Sequence, residues 1–145
     1  MTIEEDRKRL SQLAYEAQIL QGQGENVQEQ LNALAHFSAQ LQVAIESLKA
    51  LKDRKGEAKG FVSIGTGVFA PATISGGAVL VDVGANVFVE RSCEEAISTL
   101  ERRLKETMEA QERMVQGALK LDKRLRELDL EAREIAGRMR AQTKE

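Results

Sequence analysis

The sequence has 145 residues, of which 30% are charged and 3% aromatic, and its 21 basic and 23 acidic side chains give a net charge of −2. Because no segment is strongly basic, the composition argues against a nucleic-acid-binding surface and against a polybasic membrane anchor. No apolar run approaches the ~18 residues of a membrane helix. Cys93 is the only cysteine, which excludes an internal disulfide and a cysteine metal cluster and favours a soluble protein of the reducing cytoplasm.

The first element is a long helix, predicted over residues 1–55. Apolar residues recur at alternating spacings of three and four, the heptad seam of a coiled coil, and the one polar residue in the Leu- and Val-rich row of that seam is Asp6. Thr2 and Glu5 have the spacing of a capping box at the helix start. A cluster of cations followed by Gly56 marks its end.

Residues 56–91 contain the only proline and most of the glycines, and they are predicted to form two β-hairpins. The strands are expected at Phe61–Ile64, Val68–Ile74, Val79–Val83 and Val87–Val89, with turns at Gly65–Gly67, Ser75–Gly77 and Gly84–Asn86.

Isolated two-stranded hairpins are marginal in water, and their open edges pair with other strands. The insert is therefore predicted to close against inserts of other subunits. The oligomerisation residues are expected to be Phe61, Val62, Ile64, Val68, Phe69, Ile74, Val79, Val81, Val83, Val87, Phe88 and Val89.

The last element, residues 92–142, repeats the helical pattern, with a second capping box from Ser92 to Glu95. Its outer face carries acid-to-base pairs four residues apart, which stabilise a helix: Glu101–Lys105, Glu109–Arg113, Asp122–Arg126 and Glu134–Arg138. Two seams of equal length joined by the insert predict one domain over residues 1–145, mainly α with a β-insert. Its expected architecture is an antiparallel two-helix coiled-coil hairpin with two β-hairpins at one end.

The insert motifs Val62–Phe69 and Val81–Glu90 resemble those of the alpha-type subunit of archaeal prefoldin, although the family commonly has a proline where this chain has Ser63. Two hairpins rather than one indicate the alpha type. The resemblance implies a hexamer of two alpha and four beta subunits, in which the hairpins join an oligomeric β-barrel. It also implies an ATP-independent holdase that passes non-native proteins to a group II chaperonin, without a cofactor.

The hypothesis for client binding places it at the free ends of the helices, because terminal turns lose intrahelical hydrogen bonds and fray. The expected contact residues are Ile3, Leu10, Leu13, Tyr15, Ile19, Leu20, Leu128, Leu130, Ile135 and Met139.

Other signals favour structural roles. The Gly65–Gly67 segment opens no helix, so it indicates a turn and not a nucleotide-binding loop. His36 and Cys93 have no catalytic partner pattern, and no metal-ligand spacing or nucleophile–base set is visible, so an enzyme is disfavoured. The alternative function is a structural coiled-coil or filament-forming prefoldin-like scaffold.

Overall fold

A computed structural model of the chain describes residues 2–54, 57–75 and 77–144. The predicted helix stop at Gly56 and the turn residue Gly76 lie outside the described residues. The elements, in chain order, are α1 (Ile3–Asp53), β1 (Ala58–Gly65), β2 (Val68–Ile74), β3 (Ala78–Asp82), β4 (Phe88–Ser92) and α2 (Cys93–Thr143). Two long helices with two β-hairpins between them confirm the predicted fold class.

Both helices begin where the capping signals lie. The backbone N–H of Glu5 donates to Thr2 Oγ1 at 3.2 Å, and the backbone N–H of Thr2 donates to Glu5 Oε2 at 3.1 Å. At the start of α2, the N–H of Glu95 donates to Ser92 Oγ at 3.1 Å. These bonds satisfy amides that have no partner inside the first helical turn.

The chain divides into two compact units. The first, called the terminal unit, comprises Met1–Ala35 and Glu109–Glu145, and the second, called the insert unit, comprises His36–Met108. Each unit contains a segment of α1, a segment of α2 and the seam between them.

The core of the terminal unit is a small apolar cluster on the seam. Leu13, Leu128 and Ile135 are buried between the two helix segments. Full burial of an aliphatic side chain of this size contributes roughly 1.5–3 kcal/mol, so these three residues dominate the packing of the unit. The partly buried residues around them are Leu10, Ala17, Leu20, Ala132 and Met139.

In the insert unit, the buried residues come from both helices and from one strand. Leu41 and Ile45 are buried on α1, Ala96 on α2, and Val81 on β3. Two ion pairs, Lys52–Glu94 at 3.0 Å and Lys49–Glu101 at 3.7 Å, connect the helix segments. The pairing order shows that the segments run antiparallel.

The described strands form two separate two-stranded antiparallel sheets, β1–β2 and β3–β4. The first hairpin turns at Gly67, whose φ of 74° is readily adopted by glycine. Its ladder is irregular between Ser63 and Gly65. In the second hairpin, Ala85 and Asn86 adopt positive φ angles of 53° and 59°, and the N–H of Gly84 donates to Asp82 Oδ1 at 2.8 Å.

The strand ends differ from the predicted ones. β1 begins at Ala58, ahead of the predicted Phe61, because its first three residues pair with Ala72–Ile74 at the end of β2. β4 begins at Phe88 and continues to Ser92, so α2 follows without a connecting loop. Backbone pairing extends strands beyond the apolar stretch that reveals them in sequence.

Candidate functional site

Two arginine–carboxylate pairs hold the helix segments of the terminal unit together. Arg9 donates to both carboxylate oxygens of Glu131, at 2.8 and 3.1 Å. Arg124 does the same to Glu16, at 2.9 and 3.2 Å. Two-point pairs of this kind fix the relative position of the partners as well as attracting them. They therefore set the antiparallel register on either side of Leu13 and Leu128.

The pairing changes the acid–base behaviour of these groups. The hydrogen bond from Arg9 lowers the pKa of Glu131 below its ordinary value, and the same bond raises the pKa of Arg9. The hydrogen bond to Glu16 is the largest cause of the raised pKa of Arg124. All these shifts favour the ionised forms that the pairs require.

A buried acid occupies the seam near the start of α1. Asp6 is 1% exposed, and its Oδ1 accepts a 3.0 Å hydrogen bond from Arg138, whose side chain is half exposed. Its other oxygen, Oδ2, has no hydrogen-bond partner among the described residues. A carboxylate in this position takes the place of an apolar residue that the heptad pattern would otherwise supply.

Apolar side chains are also exposed on the outside of the terminal unit. Tyr15 is 68% exposed and Ile19 44%, and their spacing of four places them on one face of α1. On α2, Leu130 is 62% exposed. Neighbouring exposed apolar side chains, such as Tyr15 and Ile19, are typical of interaction surfaces.

The β-hairpins form the other apolar surface. Every residue of β1 after Ala58 is exposed, as is most of β2. Phe61 is 74% exposed, Ile64 68% and Phe69 63%. Because neighbouring residues of a strand point to opposite faces, exposure along the whole strand means that neither face of the first hairpin is covered.

Comparison with known proteins identifies the family. The prefoldin subunit family model matches residues 20–138. The alpha subunit of prefoldin from Pyrococcus horikoshii is 40% identical over 136 residues, covering 90% of each chain. The chain belongs to the prefoldin family.

Further comparisons agree. Prefoldin subunit alpha 1 from Thermococcus kodakarensis is 37% identical over 103 residues, covering 70% of each chain. A cryo-EM structure of filamentous prefoldin from Methanocaldococcus jannaschii has the same fold, with a TM-score of 0.69 and 23% identity, covering 80% of this chain and 97% of that one. The predicted recognition as an alpha-type prefoldin subunit is confirmed, and with it a chaperone-type function.

The structure separates the predicted client-binding residues of this prefoldin chain by exposure. Ile3, at 40%, joins Tyr15, Ile19 and Leu130 on the exposed side. Half-buried positions on the seam are Leu10, Leu20 and Met139, whereas Leu13, Leu128 and Ile135 are buried. The buried residues become accessible only where the two helix segments separate. Their role in client binding stays a prediction.

The predicted oligomerisation residues divide in a similar way. Val79 and Val89 are half buried, and Val81 is buried inside the insert unit. The exposed ones are Phe61, Val62, Ile64, Val68, Phe69, Ile74, Val83, Val87 and Phe88. Contact with other prefoldin subunits stays a prediction for all of them.

Sequence reasoning missed several exposed apolar residues. Leu80 lies on β3 between Val79 and Val81 and is 70% exposed. The alternating valines of β3 predicted that the opposite face of the strand is the apolar one, so Leu80 was not among the predicted oligomerisation residues. Phe37 and Val43 on α1, at 44% and 64% exposed, lie off the heptad seam. The absence of charged residues from the sequence around Phe37 and Val43 is the signal that could have identified them.

The described part of the chain contains neither a candidate metal site nor a candidate membrane-spanning helix. Across residues 2–54, 57–75 and 77–144 there is no group of three or more His, Cys, Asp and Glu side chains that could hold a metal ion. No helix in the described part of the chain is long and apolar enough to cross a bilayer.

Proposed function

We propose that this chain is the alpha subunit of an ATP-independent, cytoplasmic holdase that captures non-native proteins and delivers them to a group II chaperonin. Membership of the prefoldin family supports the chaperone class. The observation that carries the capture step is the exposure of four of the predicted client-binding residues in the terminal unit, Ile3, Tyr15, Ile19 and Leu130. A non-native chain exposes apolar residues, and contact between the two removes both surfaces from water.

Each contact between a subunit and its client is weak, and binding depends on several such contacts at once. A few exposed side chains on one subunit bury little area, so a single subunit releases its client readily. When several subunits of one assembly engage the same chain, linkage raises the overall affinity by ~10²–10⁴. Capture without nucleotide follows from this arrangement, since binding and release need no chemical step.

Assembly uses the hairpins. The first hairpin exposes Phe61, Ile64 and Phe69, and neither of its faces is covered. An isolated two-stranded hairpin of this kind has only marginal stability in water. Hairpins of neighbouring subunits cover these faces and pair with the open strand edges. The proposed assembly is a hexamer of two alpha and four beta subunits joined through a β-barrel.

The capture step is tested with a triple variant, Tyr15→Ser, Ile19→Ser and Leu130→Ser, assembled with a beta-type subunit. A chemically denatured enzyme is diluted into the assembly, and its aggregation is followed by light scattering. We expect the variant to assemble normally and to lose most of its suppression of aggregation. Gln12→Ser with Gln18→Ser, at exposed positions of the same helix, is the control and should keep full suppression. Full suppression by the triple variant would refute this placement.

The scaffold alternative is tested by the mass of the assembled protein. Mixing the chain with a beta-type, one-hairpin subunit should give a discrete hexamer by native mass spectrometry. Growth of the chain alone into fibres, with no hexamer in the mixture, would favour the scaffold.

A further inference from the structure

One exposed stretch of α1 at the start of the insert unit carries no charge. Between Glu29 and Glu46 the sequence contains no Asp, Glu, Lys or Arg. The exposed residues of that stretch within the insert unit are His36, Phe37, Ala39, Gln40, Gln42 and Val43, here called the uncharged strip. A helix with one buried seam normally presents charged side chains to water on its other faces.

The α2 segment of the same unit follows that rule. Its exposed residues are Glu94, Glu95, Ser98, Glu101, Arg102, Lys105, Glu106 and Met108, and six of these eight are charged. The start of the α1 segment therefore presents a different surface from α2, whereas Glu46, Lys49 and Lys52 farther along α1 are exposed and charged. The difference does not come from a requirement of the fold, because the seam is buried in both segments.

The uncharged strip combines apolar area with neutral hydrogen-bonding groups. Val43 is 64% exposed and Phe37 44%. A shallow depression is lined by His36, Ala39, Gln40, Val43 and Ala44. Gln40 Nε2 lies 3.1 Å from His36 Nε2, so these two side chains can hydrogen-bond to each other or to a bound chain.

We propose that the uncharged strip is a second client-binding surface, which takes an uncharged segment of a non-native polypeptide. The inference rests on the proposed holdase function and adds a site outside the terminal unit. A segment without charges can cover the strip without leaving a desolvated ion there. The amide and imidazole groups can bond to backbone N–H and C=O groups, which every client offers whatever its sequence.

The charge pattern favours a non-native client over a folded partner. Folded soluble proteins carry about 25–35% charged residues on their surfaces. Interior segments, which only an unfolded chain exposes, hold almost none. The strip is also short: eight helical residues rise roughly 11 Å, enough for about three residues of extended chain. One strip therefore binds weakly and acts together with other sites of the assembly.

The test compares Val43→Glu with Ser98→Glu, which adds the same side chain to an exposed position of α2 in the same unit. The probe is a short fluorescent peptide of Leu, Ala, Gln and Ser, binding to the assembled protein by fluorescence anisotropy. We expect Val43→Glu to weaken binding by about threefold or more, since the added charge loses its water under the client, and Ser98→Glu to leave it unchanged. A photo-crosslinking variant, Val43→benzoylphenylalanine, should capture the denatured enzyme.

The other outcomes separate the two proposals. Equal effects of the two glutamates, or a change in assembly mass with Val43→Glu, would overturn the inference, the latter because a subunit would then cover the strip. If the triple variant of the terminal unit loses all capture while Val43→Glu changes nothing, the strip fails and the proposed function stands. If Val43→Glu weakens binding and the triple variant does not, the strip stands and the terminal placement fails.

Discussion

Replacing Asp6 with leucine should stabilise the terminal unit. Asp6 is 1% exposed and one of its carboxylate oxygens lacks a partner among the described residues. Leaving a buried polar atom unpaired costs about 1–3 kcal/mol. The bond to the half-exposed Arg138 returns about 0.2–1 kcal/mol, and the position in the first turn of α1 returns about 0.3–1 kcal/mol. Leucine adds apolar burial on the seam, so the net gain is roughly 1–2 kcal/mol.

Hydrogen exchange of the backbone amides of residues 8–20 measures this gain in the assembled protein. A gain of about 1–2 kcal/mol slows exchange by roughly 5–30-fold. Arg138→Met is the informative control, because methionine has no N–H donor or charge, so the buried carboxylate loses its partner and exchange should speed up. In the Asp6→Leu background, the same change at position 138 should have little effect.

Faster exchange in Asp6→Leu would refute the reasoning, since it would mean that the Asp6–Arg138 pair stabilises the seam more than an apolar residue does. The same variant also bears on client binding. If clients reach the buried residues Leu13, Leu128 and Ile135, a more tightly closed unit should suppress aggregation less well.

Three further predictions concern acid stability, helix propensity and assembly. The lowered pKa of Glu131 means that its pair with Arg9 stabilises the unit above the ordinary pKa and that this stability is lost as pH falls through the lowered one. Glu131→Gln should therefore flatten the change in melting temperature between neutral pH and about pH 3, and an unchanged profile would contradict the assignment. Gly22→Ala with Gly24→Ala should raise the melting temperature, because nothing beyond the adjacent helix backbone lies within 4 Å of either added Cβ and each alanine favours the helix by about 1 kcal/mol. A decrease would show that helix propensity does not limit stability there. Leu80→Lys, at an exposed position, should leave the secondary structure intact in circular dichroism and reduce the hexamer in sedimentation velocity; full assembly would remove Leu80 from the interface.

The seam could be predicted because it depends on spacing alone. From Asp6 to Leu48, every residue of the predicted α1 seam is buried or half buried. Heptad spacing keeps the same residues facing a partner helix whichever helix that partner is. The hairpin turns could be predicted from the positions of the glycines, because glycine readily adopts the positive φ angles that tight turns require. Gly67 and Gly84 do adopt positive φ angles.

Pairing between elements could not be predicted. The spacing of four suggested that Arg138 pairs with Glu134, whereas its hydrogen bond goes to Asp6 on the other helix. Such a bond depends on the axial register of two helices, and the heptad pattern is compatible with many registers. The outward position of Leu80 depends likewise on which face of β3 packs inside its unit.

By itself, the sequence determined the kind and order of the elements: two capped, heptad-patterned helices and two glycine-turned hairpins between them. These features come from local backbone preferences and from periods of two and of three and a half residues, which are properties of a single segment. The tertiary structure decided which side chains of different segments meet, as Arg138 meets Asp6, and which face of β3 packs inside its unit and leaves Leu80 exposed. Those outcomes depend on distances between segments far apart in the chain, and no pattern within one segment encodes them.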